Sequence, residues 1–104
     1  FGCPLRSVAS DGDTLWVGDA RGGLHVLSPG KPTRLLEAHE AAITSLAVTA
    51  DGVVTGSEDG CVKRWRDGIV AKCVQCDDFV TSVALTASDE VVCAGYDGVI
   101  WMLR

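Results

Sequence analysis

The chain repeats itself at intervals of 37 to 38 residues, and this repeat constrains the fold more than any other feature of the sequence. Ser45-Leu46-Ala47 follows Ser7-Val8-Ala9 at an offset of 38, and the same offset carries Gly18 onto Gly56. A third copy begins at Ser82, 37 residues after Ser45, and one additional residue within 87–89 restores the offset of 38. Repeats of this length predict similar structural units that stack on one another and share a core.

Each copy has the pattern of short β-strands. Apolar and β-branched runs alternate with Gly-bearing turns, and an Asp-Gly pair between two such runs favours a hairpin. No segment shows helical spacing over more than a turn. In the middle copy the predicted strands are Ile43–Val48, Val53–Thr55, Val62–Trp65 and a weaker Ile69–Val74. The unit is therefore predicted to be a four-stranded antiparallel meander.

The predicted strands are apolar or small on both faces, as in Ile43-Thr44 and Val53-Val54. A sheet with one solvated face would alternate more cleanly between apolar and polar residues. Sheets covered on both sides fit the pattern better, and radial stacking of such sheets gives a β-propeller.

The middle copy resembles the WD-repeat β-propeller family. The residues that carry the resemblance are Ala38-His39, Thr49-Ala50-Asp51-Gly52, Val54-Thr55-Gly56-Ser57, Asp59-Gly60 and Trp65-Arg66. The resemblance covers nearly the whole chain and implies an all-β fold of antiparallel four-stranded blades, incomplete within these 104 residues. Residues 1–104 would form part of one propeller, with blade-like repeats at about 5–37, 42–74 and 79–104.

The resemblance also implies a buried hydrogen-bond network within the middle blade. Its members would be His39, Thr55 or Ser57, Asp59 and Trp65. A buried indole N–H needs an acceptor and a buried carboxylate needs donors, so the expected role is structural. A catalytic His39–Asp59 pair is disfavoured, because no Ser or Cys nucleophile has a suitable spacing.

The outer copies depart from the family pattern. Arg21 and Leu27 replace the turn Asp and the Trp in the first copy, and Gln75-Cys76 and Leu103 replace Gly-His and Trp in the third. We therefore expect apolar packing to hold these two blades. Asp97 keeps its turn position and is expected to bond local backbone amides.

Fewer than three blades are present, whereas propellers close with about 4–8. We expect the chain to be a fragment of a longer protein, with further blades in cis. The alternative is self-association of several copies to close a ring, with the missing last strand supplied in trans.

Charge and composition restrict the classes of partner that the chain is expected to bind. The net charge of −5 and the pI of about 4.7 make nucleic acid an improbable ligand. No apolar run approaches the roughly 18 residues of a membrane span, so no membrane partner is predicted. Five cysteines in mostly apolar runs favour reduced thiols of an intracellular protein, cytoplasmic or nuclear. The pair Cys73 and Cys76 lacks a second pair for zinc, so no metal or cofactor is predicted.

Partner binding is expected on the loop rim, where members of this family expose the residue before the turn Asp. By position these residues are Ala20, Glu58 and Tyr96, and Glu40 and Phe79 lie in the loops that precede the second and third copies. The candidate partner-binding residues are Glu40, Glu58, Phe79 and Tyr96.

These observations favour a non-catalytic protein–protein interaction scaffold built from WD repeats. An alternative is the propeller arm of a larger multidomain enzyme (a phosphatase, kinase or ubiquitin ligase) whose catalytic domain lies outside this chain. An enzyme or sugar-binding propeller with a central-channel site is disfavoured, because Ser7, Ser45, Ser82 and their aliphatic neighbours provide no clustered carboxylates or aromatics.

Overall fold

The chain folds as a series of antiparallel sheets in a computed structural model that describes residues 3–50, 52–66, 68–76, 78–88, 90–96, 98 and 100–103. Within this part of the chain there are eleven strands. They are β1 Leu5–Asp11, β2 Thr14–Asp19, β3 Gly23–Leu27, β4 Arg34–Glu37, β5 Ile43–Thr49, β6 Gly52–Ser57, β7 Cys61–Arg66, β8 Ile69–Gln75, β9 Val80–Leu85, β10 Val91–Gly95 and β11 Ile100–Leu103.

The strands form three sheets, β1-β2-β3-β4, β5-β6-β7-β8 and β9-β10-β11, and within each sheet every strand pairs with its neighbour along the chain. The third sheet has three strands among the described residues. The all-β prediction of antiparallel four-stranded sheets is confirmed. The first, second and third sheets are called blades 1, 2 and 3 below, and they do not close into a ring.

Equivalent glycine turns join the second and third strands of each blade. Gly22, Gly60 and Gly98 have φ of +93°, +85° and +85°, a conformation that favours glycine. The amide of each donates to a carbonyl three residues earlier, at 3.3, 3.1 and 3.1 Å respectively. The three turns therefore have the same backbone geometry, and they place the residues before each glycine at one end of the blades.

The core lies between neighbouring blades. One cluster joins blades 1 and 2, and a second joins blades 2 and 3. Val53 belongs to the first cluster and Val54 to the second, and both are fully buried. Because successive strand residues point to opposite faces, blade 2 is covered on both sides. The members of the first cluster are Leu24, Ala38, Ile43, Val53 and Trp65, and those of the second are Val54, Val62, Cys76, Val80, Val83, Val91 and Cys93.

Polar contacts near the start of the first strands fix how the blades stack. The Ser7 hydroxyl donates to the Ile43 carbonyl at 2.9 Å, and the Ser45 hydroxyl accepts the Val83 amide at 3.1 Å. A Cβ at Gly18 would lie 2.6 Å from Ile43 Cβ, and one at Gly56 would lie 2.7 Å from Val80 Cγ1. The repeated serines and glycines therefore give both interfaces the same close approach.

No helix in the described part of the chain is long and apolar enough to cross a membrane.

Candidate functional site

The loop rim is the end of the blades where β4 connects to β5, β8 to β9, and the second strand of each blade to the third. In an antiparallel meander these connections all lie at one end of the sheet, and the turn between β7 and β8 lies at the other. The rim contains all four candidate partner-binding residues and, directly beneath them, the hydrogen-bond networks that support the loops.

Blade 2 holds its loops with a chain of four side chains. His39, in the loop before β5, reaches Asp59 in the next turn, with Nδ1 at 3.0 and 3.2 Å from the carboxylate oxygens. His39 Nε2 lies 2.6 Å from Thr55 Oγ1 in the centre of β6. The indole N–H of Trp65, on β7, donates to the same hydroxyl oxygen at 3.0 Å. The chain therefore links a loop, a turn and two strands.

The protonation state of this hydrogen-bond network follows from its surroundings. Burial lowers the pKa of His39 below its ordinary value, although the neighbouring Asp59 carboxylate opposes the shift. At neutral pH the ring is then uncharged, with its proton on Nδ1 facing the carboxylate. Nε2 accepts the hydroxyl proton of Thr55, whose oxygen accepts from Trp65. Each of these buried polar atoms has a partner, and the arrangement is suited to a structural role.

Asp59 also organises backbone at the rim. Its carboxylate accepts the amides of Glu40 at 3.0 Å and Cys61 at 2.7 Å. Burial alone would raise the pKa of Asp59, but these amides and His39 lower it overall. Ser57 supports the same turn, since its hydroxyl donates to the Ala41 carbonyl and accepts the Asp59 amide. Of the two hydroxyls considered from the sequence, that of Thr55 joins His39 to Trp65 in the hydrogen-bond network, and that of Ser57 lies beside the network.

Blade 1 contains a polar network that the sequence analysis missed. Asp19 accepts the amides of Arg21 and Gly23, each at 2.8 Å, and its second carboxylate oxygen lies 2.8 Å from His25 Nε2. Both side chains are buried. Burial alone would raise the pKa of Asp19, but hydrogen bonds from His25, Gly23, Arg21 and Cys3 lower it to about 2.

The apolar packing expected for blade 1 is therefore present, but this buried polar network, which the expectation did not include, supports the blade as well. In the repeat, Asp19 occupies the position of Ser57 and His25 that of Lys63, so a search for residues at the family positions passes over both. The available signal was local. An Asp that opens a turn and is followed by Ala-Arg-Gly-Gly is expected to cap backbone amides, and a His two residues after the second Gly lies on the adjoining strand.

Blade 3 places sulfur where blade 2 has the His39–Thr55 contact. Cys76, in the loop before β9, and Cys93, on β10, are both buried, with sulfur atoms 4.0 Å apart. Cys93 is 38 residues after Thr55 and Cys76 is 37 residues after His39, the offsets of the repeat itself. Asp97, expected to bond its turn, lies outside the described residues.

The rim exposes an aromatic pair on blade 3. Phe79 is 49% exposed and Tyr96 is 76% exposed, and their ring centroids are 6.4 Å apart at an interplanar angle of 49°. The Tyr96 amide donates to the Phe79 carbonyl at 2.8 Å, which holds the two loops together. The equivalent backbone bonds in blades 1 and 2 run from Ala20 to Pro4 and from Glu58 to Ala42. The three positions selected from the sequence therefore have equivalent backbone contacts.

A small cleft lies beside this aromatic pair, between blades 2 and 3. It has a volume of about 150 Å³ and is lined by Glu58, Asp59, Asp78 and Phe79, among others. Glu58 is 3.9 Å from Arg6 of blade 1, and both side chains are exposed to solvent. Glu40 lines a neighbouring cleft, which has Asp59 and Gln75 in common with this one. Asp78 was not identified from the sequence, because nothing in the repeat marks it.

The described residues contain no cluster of three or more His, Cys, Asp or Glu side chains that could hold a metal ion. Cys73 is exposed on β8, whereas Cys76 is buried in the following loop, so the two cysteines of the C-x-x-C pair have different surroundings. Burial, together with Asp59 and Cys73, raises the pKa of Cys61 to about 11. A thiol with so high a pKa is a poor nucleophile at neutral pH.

Comparison with known proteins agrees with this architecture. The family described as "WD domain, G-beta repeat" matches residues 30–66. Mitochondrial division protein 1 of Schizosaccharomyces pombe is 41% identical over 49 residues, which is 46% of this chain and 7% of that protein.

Solved structures match over most of the chain. The Cps50 (Swd1) β-propeller domain of Myceliophteria thermophila superimposes with a TM-score of 0.82 at 21% identity over 92% of this chain and 34% of that one. A chain of the Mitotic Checkpoint Complex has a TM-score of 0.86 at 19% identity, and the match covers 96% of this chain and 33% of that one. The WD40 β-propeller domain of Doa1 has a TM-score of 0.83 at 18% identity, and the match covers 94% of this chain and 36% of that one. The chain thus spans about a third of the length of these structures, and the likeness establishes the fold.

Proposed function

We propose that this chain, whose blades have the fold of WD-repeat β-propellers, acts as a protein-interaction scaffold, with no chemistry of its own, that binds its partner on the loop rim. WD40 propellers generally serve as interaction scaffolds, and one of the structural neighbours is part of a checkpoint complex. The single observation that carries the proposal is the exposed pair of Phe79 and Tyr96 beside an acidic cleft.

The aromatic pair provides the apolar part of this surface. Aromatic residues are enriched at interface hot spots, because they bury a large area at little cost in conformational entropy. Packing within the blades does not require these two side chains, since Phe79 leaves about half and Tyr96 about three quarters of its surface in solvent. A partner that covered both rings would remove that apolar surface from water.

The charge of the adjoining cleft defines the partner more closely. Glu58 and Asp78 place carboxylates at its edge, and the ion pair of Glu58 with Arg6 is long and exposed, hence weak. A volume of about 150 Å³ holds roughly five waters or one extended side chain. We therefore propose a partner segment that inserts a lysine or arginine into the cleft and lays an apolar neighbour on Phe79 and Tyr96. A cation close to these rings would gain a further cation–π contribution.

The test is selection from a random peptide library displayed on phage, followed by titration calorimetry of the enriched peptides. We expect enriched peptides to share a lysine or arginine adjacent to an apolar residue. Tyr96→Ala and Phe79→Ala should each weaken their binding about tenfold or more, in the range of interface hot spots. Glu58→Gln should weaken it less and reduce its dependence on salt, because a screened charge contact is lost.

Ile69→Ala is the matched control. Ile69 is 71% exposed but begins β8, at the end of blade 2 opposite the rim, so its removal should leave peptide affinity unchanged. Equal loss in the control and rim variants, or enrichment of acidic peptides, would refute the proposed surface. The propeller arm of a larger enzyme would present the same rim, so the experiment applies to that alternative as well.

A further inference from the structure

Cys76 and Cys93 form a sulfur pair at a position where the repeat elsewhere places a hydrogen bond. In blade 2 the contact of His39 with Thr55 fastens the loop that leads into β5 to the centre of the blade. In blade 3 the equivalent positions, in the loop that leads into β9 and in the centre of β10, hold these two thiols. The two pairs therefore occupy corresponding places, with different chemistry.

The two sulfur atoms are close enough for a covalent link to form after a small movement. The sulfur atoms are 4.0 Å apart, so they must approach by about 2 Å to reach the S–S bond length of roughly 2.04 Å. Cys76 is held on its loop by its amide, which donates to the Gly60 carbonyl at 2.7 Å, and Cys93 is held on β10 by pairing with Val83. The remaining approach can come from side-chain rotation and a small shift of the loop.

We propose that Cys76 and Cys93 form a disulfide when the protein meets a small two-electron oxidant of the hydrogen peroxide class. One sulfur gives up its proton and attacks a peroxide oxygen, the O–O bond breaks, and a sulfenic acid and one water result. The second sulfur attacks the sulfenic sulfur, the S–O bond breaks, and a second water leaves. Two thiols and one peroxide thus yield one disulfide and two waters, and two electrons pass from sulfur to oxygen.

The surroundings of the pair select the oxidant. Both side chains lie in the apolar cluster between blades 2 and 3, at 5% and 1% exposure, with Val80, Val83 and Val91 among their neighbours. A peroxide molecule is small enough to enter during local opening, whereas a bulky disulfide such as oxidised glutathione is not. Reaction is therefore expected to be slow and to favour peroxide over glutathione disulfide.

The consequence of the disulfide is a fixed loop beneath the rim. The bond closes a loop that contains Phe79 and all of β9, and Cys76 lies three residues before Phe79. A cross-link of this kind stabilises a fold chiefly by restricting the unfolded chain. Oxidation should therefore raise the midpoint of thermal unfolding, and a thiol reductant should reverse the increase.

The test is peptide mapping of the full chain after treatment with hydrogen peroxide. Remaining thiols are alkylated, and a protease that cuts after acidic residues separates Cys76 from Cys93, because Asp78 and Glu90 lie between them. We expect a peptide pair that joins residues 68–77 to 91–97, lighter than its reduced components by two hydrogens. The same pair should persist in Cys73→Ser, the matched control, and disappear in Cys76→Ser.

Other outcomes would overturn the proposal. They are a link that is lost in Cys73→Ser, a link to Cys61, and oxidation of Cys76 or Cys93 to sulfinic acid without any cross-link. If Cys76→Ser does not fold, the wild-type map together with Cys73→Ser still decides, since it either contains the expected pair or does not. Faster formation with oxidised glutathione than with peroxide would refute the inferred choice of oxidant.

Discussion

Blades 1 and 2 share a backbone plan but fasten their turns with different side chains. In blade 2 a neutral histidine links Asp59 to Thr55 and, through it, to Trp65. In blade 1 a single carboxylate, Asp19, both caps its own turn and accepts from His25 on the adjoining strand. The first network connects a loop with two strands, whereas the second remains within one hairpin.

The comparison shows that both turns have an acceptor for their backbone amides, although the residue that provides it lies at a different position of the repeat in each blade. Each glycine turn brings backbone amides to the rim, where they are partly shielded from water, and an acceptor must satisfy them. Asp59 meets this need from within the turn, and Asp19 meets it from the last position of the preceding strand. The four predictions below test this comparison, from the largest expected effect to the smallest.

The turn glycines should differ in their sensitivity to alanine. A Cβ at Gly22 would lie 2.1 Å from the His39 carbonyl oxygen, in addition to the unfavourable positive φ. We expect Gly22→Ala to lower the free energy of unfolding by about 4 kcal/mol. Gly60→Ala meets a flexible amide at 2.7 Å and should cost about 2 kcal/mol. Gly98, with no described atom within 4 Å, provides the control at about 1 kcal/mol. Urea denaturation measures the order, and equal losses at all three would contradict it.

Thr55→Val should break the longer network at its centre. The substitution keeps the shape of the side chain but leaves the Trp65 N–H and His39 Nε2 without partners, in a site with no access to water. Two unsatisfied buried groups should reduce the free energy of unfolding by about 2–4 kcal/mol. Thr14→Val, at a half-buried position of β2, is the control and should change it by less than about 0.5 kcal/mol. Similar values for the two variants would show that the network does not stabilise blade 2.

Asp19→Ala and Asp59→Ala compare the two acceptors directly. Each removes a carboxylate that accepts at least three hydrogen bonds, so each should cost about 1–3 kcal/mol. A double-mutant cycle should find coupling between Asp19 and His25 of about 1 kcal/mol, and additivity between Asp19 and Thr55, which share no partner. If Asp19→Ala proved neutral, blade 1 would be held by apolar packing after all.

The two networks should lose their contributions to the free energy of unfolding over different pH ranges. Folding lowers the pKa of His39, so below about pH 6.5 the unfolded chain binds a proton that the folded chain does not, and stability falls as pH decreases. The lowered pKa values of Asp59 and Asp19 act in the same direction but only below about pH 4, and for Asp19 the loss continues to about pH 2. Each extra proton contributes a slope of at most about 1.4 kcal/mol per pH unit.

Denaturation curves across this range would separate the two networks. His39→Gln should flatten the upper part of the pH dependence, and Asp19→Asn should flatten the lower part. A variant that shifts the whole curve without changing its shape would show that the group it replaces does not titrate differently on folding.

Much of the fold was accessible from the sequence, because its signals are local. Alternating apolar residues such as those of Ile43–Thr49 define a strand, and a glycine such as Gly60 defines the turn that follows. The residues that meet in blade 2, including His39 and Trp65, were identified through resemblance to the family pattern, and the structure brings them within hydrogen-bonding distance. Of the candidate rim residues, Glu58, Phe79 and Tyr96 lie together, and Glu40 lies at a neighbouring cleft.

The sequence by itself determined the repeat, the strand order within each blade and the positions of the turns, since strand periodicity and turn preference act over a few residues. Only the tertiary structure decided that Asp19 meets His25, that Cys76 meets Cys93 and that Asp78 borders a cleft with Glu58. These contacts depend on how loops and neighbouring blades pack. A side chain's partner is set by distances of a few ångströms across that packing, and spacing along the chain does not encode them.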